Sequence, residues 1–169
     1  MTDAVVVRRV RLHEWREVRD LRLAAVADPA ASVAFLTTTS EETVRDEAFW
    51  RERTAGGAMS DHAAQFVAVD GDHWVGTATV LLRDVEDDEP RADIVGVFVA
   101  PTHRGSGILE RLLDAAGDFA AARGRTDMML DVHADNTRAR RAYRRCGFSS
   151  TGVTSTSVIG PQLELRRSL

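Results

Sequence analysis

Hydrophobic and polar positions alternate along this chain with two periods, and each predicts its own kind of element. The β-branched opening AVVVRRV (4–10) reads as a short strand. In LHEWREVRDLRLAAVAD (12–28), Trp15, Val18, Leu21, Ala25 and Val26 fall near one helical face, and Asp28-Pro29 supplies a stop. The stretch around Phe35 fits a loop or a short helical turn. From Ser40, taken as a cap, acids in the first turn predict a helix to about Ala55. AGGAMSDHA (55–63) then breaks the pattern.

QFVAVD (65–70) and HWVGTATVLL (73–82) predict two antiparallel strands joined through Asp70-Gly71-Asp72, a strong hairpin signal. The acidic RDVEDDEPRAD (83–93) reads as an exposed connection. IVGVFVA (94–100) is nearly continuous in apolar side chains, as a centrally buried strand would be. After RGSG (104–107), Leu109, Leu112, Leu113, Ala116, Phe119 and Ala120 predict a helix face for burial, closed by Gly124. TDMMLDVHA (126–134) is the next strand. NTRARRAYRRCGF (136–148) is a helix with Ala139, Ala142, Tyr143 and Cys146 near one side and Gly147 at its end. GVTSTSVI (152–159) and QLELRRSL (162–169) form a closing hairpin around Gly160-Pro161.

That order, with a crossover between Ile94–Val99 and Met128–Val132, points to an α/β or α+β layer. No repeat, linker or composition break asks for a second domain, so residues 1–169 are expected to form one. At 169 residues and 44% hydrophobic, the chain can bury a core without disulfides or metals.

A single cysteine, Cys146, excludes an internal disulfide, and no window approaches the roughly 18 apolar residues of a membrane span. A soluble cytoplasmic protein with no membrane partner is the expectation. The basic residues are all arginine, and the formal net charge of -4 argues against general nucleic-acid binding. His13, His62, His73, His103 and His133 are scattered over five elements, which gives no reason to propose a metal.

HRGSGI (103–108) asks what the backbone must approach so closely. At the start of a helix several amides lack intrahelical acceptors, and glycines keep side chains away, so the turn can nest a phosphate helped by Arg104; a plain turn is the other reading. A Walker loop fails for want of lysine, and a dinucleotide fingerprint fails because Glu110 stands where the third glycine belongs.

VFVAPTHRGSGILERLLDAA followed by LDVHADNTRARRAYRRCGF resembles the GNAT superfamily of acyl-CoA-dependent N-acetyltransferases. The resemblance implies a mixed, mostly antiparallel central sheet flanked by helices, with acetyl-CoA as co-substrate and no metal. It lays the phosphate-binding signature on Arg104, Gly105, Ser106, Gly107, Ile108 and Leu109, with Leu109 departing from the family's glycine or alanine. It places Val97, Phe98 and Val99 on the strand that binds the acyl-pantetheine arm, an amide near Val97 or Phe98 meeting the thioester oxygen. Asn136 matches a recurrent asparagine that contacts the arm, although Asp135 or Asn136 can equally cap a helix. Tyr143 matches the family's common general acid, and Phe148 reads as core.

By the same resemblance the reaction is direct attack of a neutral primary amine on the thioester, with Tyr143 protonating the departing thiolate. Such transfer needs no nucleophilic side chain, which leaves Cys146 as packing. Asp93 is the first choice for the base, followed by the acids Glu86–Glu89; Asp131 and His133 read as structural or solvent-facing. Acceptor specificity is expected in Asp28–Thr39 and Val153–Pro161, the acceptor being an amine-containing small molecule or peptide. A homodimer is left open. An acyl-CoA-binding regulatory domain without turnover, or a purely structural domain, are the other readings.

Overall fold

The computed structural model describes residues 4–84 and 90–169. In chain order, β1 (Val6–Arg9) leads to α1 (Trp15–Val26), a 3-10 turn at Ala31–Val33, α2 (Thr39–Thr43) and α3 (Glu47–Met59). Strands β2 (Ala63–Asp70), β3 (His73–Arg83) and β4 (Arg91–Val99) follow. Then come α4 (Ile108–Ala121), β5 (Asp127–His133), α5 (Thr137–Arg145) and the hairpin β6 (Ser149–Ser157) and β7 (Gly160–Ser168). The strands form one sheet in the order β1-β2-β3-β4-β5-β7-β6. All neighbours run antiparallel except β4 and β5, the parallel pair that a crossover through α4 produces. The architecture is the mixed, mostly antiparallel sheet with flanking helices that the resemblance to the GNAT superfamily implies, within the α/β or α+β layer that the sequence pattern predicts.

Helix α4 inserts Leu113, Ala116 and Ala120 against Val80, Ala92, Ile94, Met128 and Leu130. A second group joins Trp15, Val18, Leu21 and Trp50 to Val67 and Phe98, so α1 and α3 cover the β1–β4 end. Each fully buried aliphatic chain of this kind stabilises the fold by about 1.5–3 kcal/mol. The predicted face of α1 is the observed one: Trp15, Val18, Leu21, Ala25 and Val26 are all buried.

Two expectations need correction. The helix expected from Ser40 to about Ala55 is two helices. Thr38 is the cap, its hydroxyl accepting from the Glu41 amide while the Glu41 carboxylate accepts from the Thr38 amide, a full capping box two residues upstream of Ser40. That helix stops at Thr43, and Asp46 starts α3 afresh by accepting from the Phe49 amide.

The segment IVGVFVA is not uniformly buried either, because Val95 is 38% exposed. The β3–β4 register steps from Thr79 opposite Val95 to Thr77 opposite Phe98, so β4 carries an extra residue at a bulge. Gly96 there has φ +61°, a left-handed conformation that a branched side chain would strain. The bulge reverses the alternation of the strand. Ala92 and Ile94 pack with the α4 group, whereas Phe98 points to the α1–α3 group.

Candidate functional site

Strands β4 and β5 pair only at Ala92 with Met128 and Asp93 with Met129. Beyond that point they part, and among the described residues β4 from Ile94 to Val99 has no strand partner on its β5 side. A cleft of about 1350 Å³ opens in the gap. Asp93, Val97, Phe98 and Val99 line it from β4, Arg104, Gly105, Gly107 and Leu109 from the turn and first residues of α4, and Asn136 and Tyr143 from α5. The structure therefore brings most of the predicted residues of two distant segments to one cavity, although Ser106 and Ile108 do not line it. The acids Glu86–Glu89 lie outside the described residues.

The turn before α4 has the geometry of an anion cradle. Gly105 (φ +77°) and Gly107 (φ +83°) are left-handed, and a Cβ at either would meet no atom within 4 Å, so their faces are open. The first amide bonded back into α4 is that of Arg111, to the Gly107 carbonyl, which leaves the preceding amides without intrahelical acceptors. Ser106 is exposed and its hydroxyl donates to the His103 carbonyl, while Ile108 is 3% exposed and belongs to the core. Leu109 packs its side chain into the α4 hydrophobic group, as the departure from the family signature requires. An open row of amides on glycine backbone fits a pyrophosphate, and the unpaired β4 edge fits an amide-bearing arm such as pantetheine.

Arg104 and Asn136 make contacts to Asp28, Val99 and Val33 that sequence reasoning missed, while the Asn136 cap of α5 is one of the two readings the sequence offered. The Arg104 guanidinium donates to the Val99 carbonyl at 3.0 Å and to the Asp28 carboxylate at 2.7 Å. Asn136 is the cap of α5, its side-chain oxygen accepting from the Ala139 amide, and its nitrogen donates to the Val33 carbonyl at 3.3 Å. Both thus tie the segment after α1 to the cofactor side of the cleft. Arg22 and Thr37 brace the same segment through the Glu42 carboxylate, which is 2% exposed.

Tyr143 sits edge-on to Phe148, ring centroids 5.9 Å apart, and packs against the α4 group. Burial pushes its phenol well above the ordinary tyrosine value, so it holds its proton at neutral pH. Cys146, also in the cleft wall, is pushed up by burial and then by Glu110, and stays a thiol. Asp93 is bridged by Arg83 at 2.9 Å and Arg91 at 3.3 Å, and Arg91 also reaches Glu164 at 3.1 Å. Among the described residues, no group of three or more His, Cys, Asp or Glu is placed to hold a metal ion, and no helix is long and apolar enough to cross a membrane.

A parallel pair that splays beside a bulged strand, with a glycine turn leading into the crossover helix, is the arrangement that the resemblance to acyl-CoA-dependent acetyltransferases implies. The acetyltransferase (GNAT) family profile matches residues 25–148, and the chain belongs to that family. It is 36% identical over 119 residues to a streptothricin acetyltransferase of Streptomyces lavendulae, an alignment covering 70% of this chain and 55% of the relative. It is 27% identical over 97 residues to an aminoglycoside N(6')-acetyltransferase type 1 of Salmonella typhimurium, covering 55% of this chain and 67% of that one. The chain thus spans about half the length of the first of these relatives. The crystal structure of a GNAT-family acetyltransferase from Streptococcus pneumoniae superposes with a TM-score of 0.80 over 98% of this chain and 99% of its own, at 14% identity, a likeness of fold.

Proposed function

We propose that the protein transfers an acetyl group from acetyl-CoA to a primary amine of a small molecule or peptide by direct attack. The observation that carries this reading is the unpaired β4 edge from Ile94 to Val99, which runs to the open glycine turn and lines the same cleft as Tyr143. Acetyl-CoA supplies the activated acyl thioester. The amides at the start of α4 hold its pyrophosphate, the β4 edge aligns the arm, and amides freed by the Gly96 bulge face the developing oxyanion.

Tyr143 holds the proton that the leaving sulfur needs. The apolar surroundings that raise its phenol disfavour a thiolate equally, so donation stays feasible although the tyrosine is a weak acid in water. The amine enters from the other end of the cleft, between the segment carrying Phe35, Leu36 and Thr37 and the β6–β7 side carrying Ser155 and Ile159. The similarity to antibiotic acetyltransferases favours a small polycationic amine as the first acceptor to try.

The test is incubation with acetyl-CoA and a streptothricin, an aminoglycoside, spermidine or a peptide with a free N-terminus, read by mass spectrometry. One acceptor gaining a single acetyl group is the expected result. Tight CoA binding with no transfer across the panel would instead identify a binding domain without turnover.

A further inference from the structure

Attack on a thioester requires a neutral amine, and a primary amine is protonated at neutral pH. We propose that Asp131 on β5 takes that proton from the incoming ammonium group, an assignment that rests on the transferase reading above.

Three carboxylates crowd the polar face where β4 and β5 part, and two of them are spoken for. Asp93 receives the guanidinium protons of Arg83 and Arg91. Glu164 receives Arg91 at 3.1 Å and the Thr151 hydroxyl at 2.9 Å. A carboxylate whose lone pairs already accept from cations is a poor acceptor for a further proton. Asp131 has no ion pair or side-chain hydrogen bond among the described residues, and it lines the cleft.

Its place in the sheet suits the role. Strand alternation sets Leu130 and Val132 into the α4 core and turns Asp131 to the opposite face. It stands two residues beyond the last β4–β5 pair, where the gap opens.

The groups around it make it basic. From β7, Glu164 lies directly opposite in the β5–β7 register; from β4 come Asp93 and Arg91; Arg83 of β3 is engaged by Asp93. Asp131 is solvent-exposed at the cleft, and only part of its surroundings is desolvated; that partial desolvation first, then the Glu164 charge, shifts its carboxyl above the usual aspartate range, with Arg91 opposing and Asp93 adding. On its own strand, His133 offers no alternative. It is 5% exposed, its Nδ1 accepts from the Asp135 amide at 3.0 Å, and its Nε2 is left to donate to the Ile159 carbonyl at 2.8 Å.

The protons balance. Asp131 accepts one proton as an N–H bond breaks, and the freed lone pair forms the C–N bond while the C–S bond breaks. Tyr143 gives its hydroxyl proton to sulfur and regains one from the acylated nitrogen. Asp131 then releases its proton to solvent through the open cleft. The ammonium has lost two protons, one now on the thiol and one in solution.

The experiment pairs two measurements on the full chain. Carboxyl carbon resonances of aspartate-labelled protein are followed against pH in the wild type, with Asp131→Asn providing the assignment. Single-turnover acetyl transfer is then measured over a pH range that spans the observed Asp131 titration, with whichever panel amine the wild type acetylates, in the wild type, Asp131→Asn and Tyr143→Phe. The Asp131 resonance should titrate above the ordinary aspartate position. The rate should fall on the acid side at that same pH in the wild type and in Tyr143→Phe, and Asp131→Asn should lose that limb with a drop of about 100-fold or more at pH 7.

An unchanged acid limb in Asp131→Asn, or an Asp131 carboxyl titrating in the ordinary range, overturns the assignment. Wild-type protein that binds CoA and acetylates no amine refutes the transferase reading on which the assignment rests, and refutes the assignment with it.

Discussion

The Arg104 guanidinium donates to the Asp28 carboxylate at 2.7 Å, joining the glycine turn before α4 to the segment that follows α1. Since the Asp28 side chain is only 6% exposed, the charge of Arg104 is largely neutralised within the protein. In the proposed acetyl-CoA complex, pyrophosphate binding would then fall mainly on the amides at the start of α4.

Asp28 should report on this pair through pH. Burial alone would raise its carboxyl, but hydrogen bonds from the Ala30 amide and Arg104 outweigh it and hold the group below the usual range. A depressed folded value contributes stability above the unfolded value, and that contribution is lost as pH falls through the folded one. Asp28→Asn should cost about 2 kcal/mol at pH 7 in denaturant unfolding. Wild type and variant should converge in acid; a difference independent of pH would contradict the pairing.

Gly107→Ala and Arg104→Ala should separate cradle from brace. A methyl at Gly107 meets no neighbour, so its folding cost is the left-handed conformation alone, about 1–2 kcal/mol. It should nevertheless weaken CoA binding about tenfold or more in calorimetry, because the methyl crowds the anion's approach. A valine there would also strain the backbone and blur the comparison. Arg104→Ala should lower Tm with the smaller effect on CoA affinity; the reverse ranking would return Arg104 to the phosphate.

How far the sequence speaks depends on whether the deciding interaction is local. The α1 face was legible because five apolar residues share one helical stripe, and the β2–β3 hairpin because Asp70-Gly71-Asp72 is turn chemistry in itself. Gly96 inside an apolar strand was a visible sign of a bulge, yet its consequence, the reversed facing of Phe98, needed the register with β3. The glycine turn and Tyr143 were legible by resemblance to the family. The contacts of Arg104 with Asp28 and of Asn136 with Val33 bridge 76 and 103 residues and leave no local trace. Asp131 reads from sequence as one polar position in an alternating strand; only the pairing of its neighbours leaves it without a side-chain partner among the described residues.

Tyr143→Phe keeps the edge-on packing against Phe148 and removes the proton. Turnover should fall about 10²- to 10⁴-fold at the chemical step while Tm and CoA affinity change little. Pre-steady-state transfer at saturating acetyl-CoA is the measurement, because slow product release would mask the defect. An unchanged chemical step would leave Tyr143 as packing.

Cys146 should be inert despite lining the cleft. With its thiol held protonated by burial, alkylation at pH 8 should run slower than for free cysteine, and Cys146→Ala should retain wild-type turnover. Loss of transfer in a folded Cys146→Ala protein would assign the thiol a part in the chemistry.

Direct attack is tested by following intact protein and acceptor by mass spectrometry through one turnover with limiting acetyl-CoA. The acetyl group should appear on the amine as fast as the thioester disappears, with the protein mass unchanged throughout. An acetylated protein that forms before the amide product and decays into it would contradict the account.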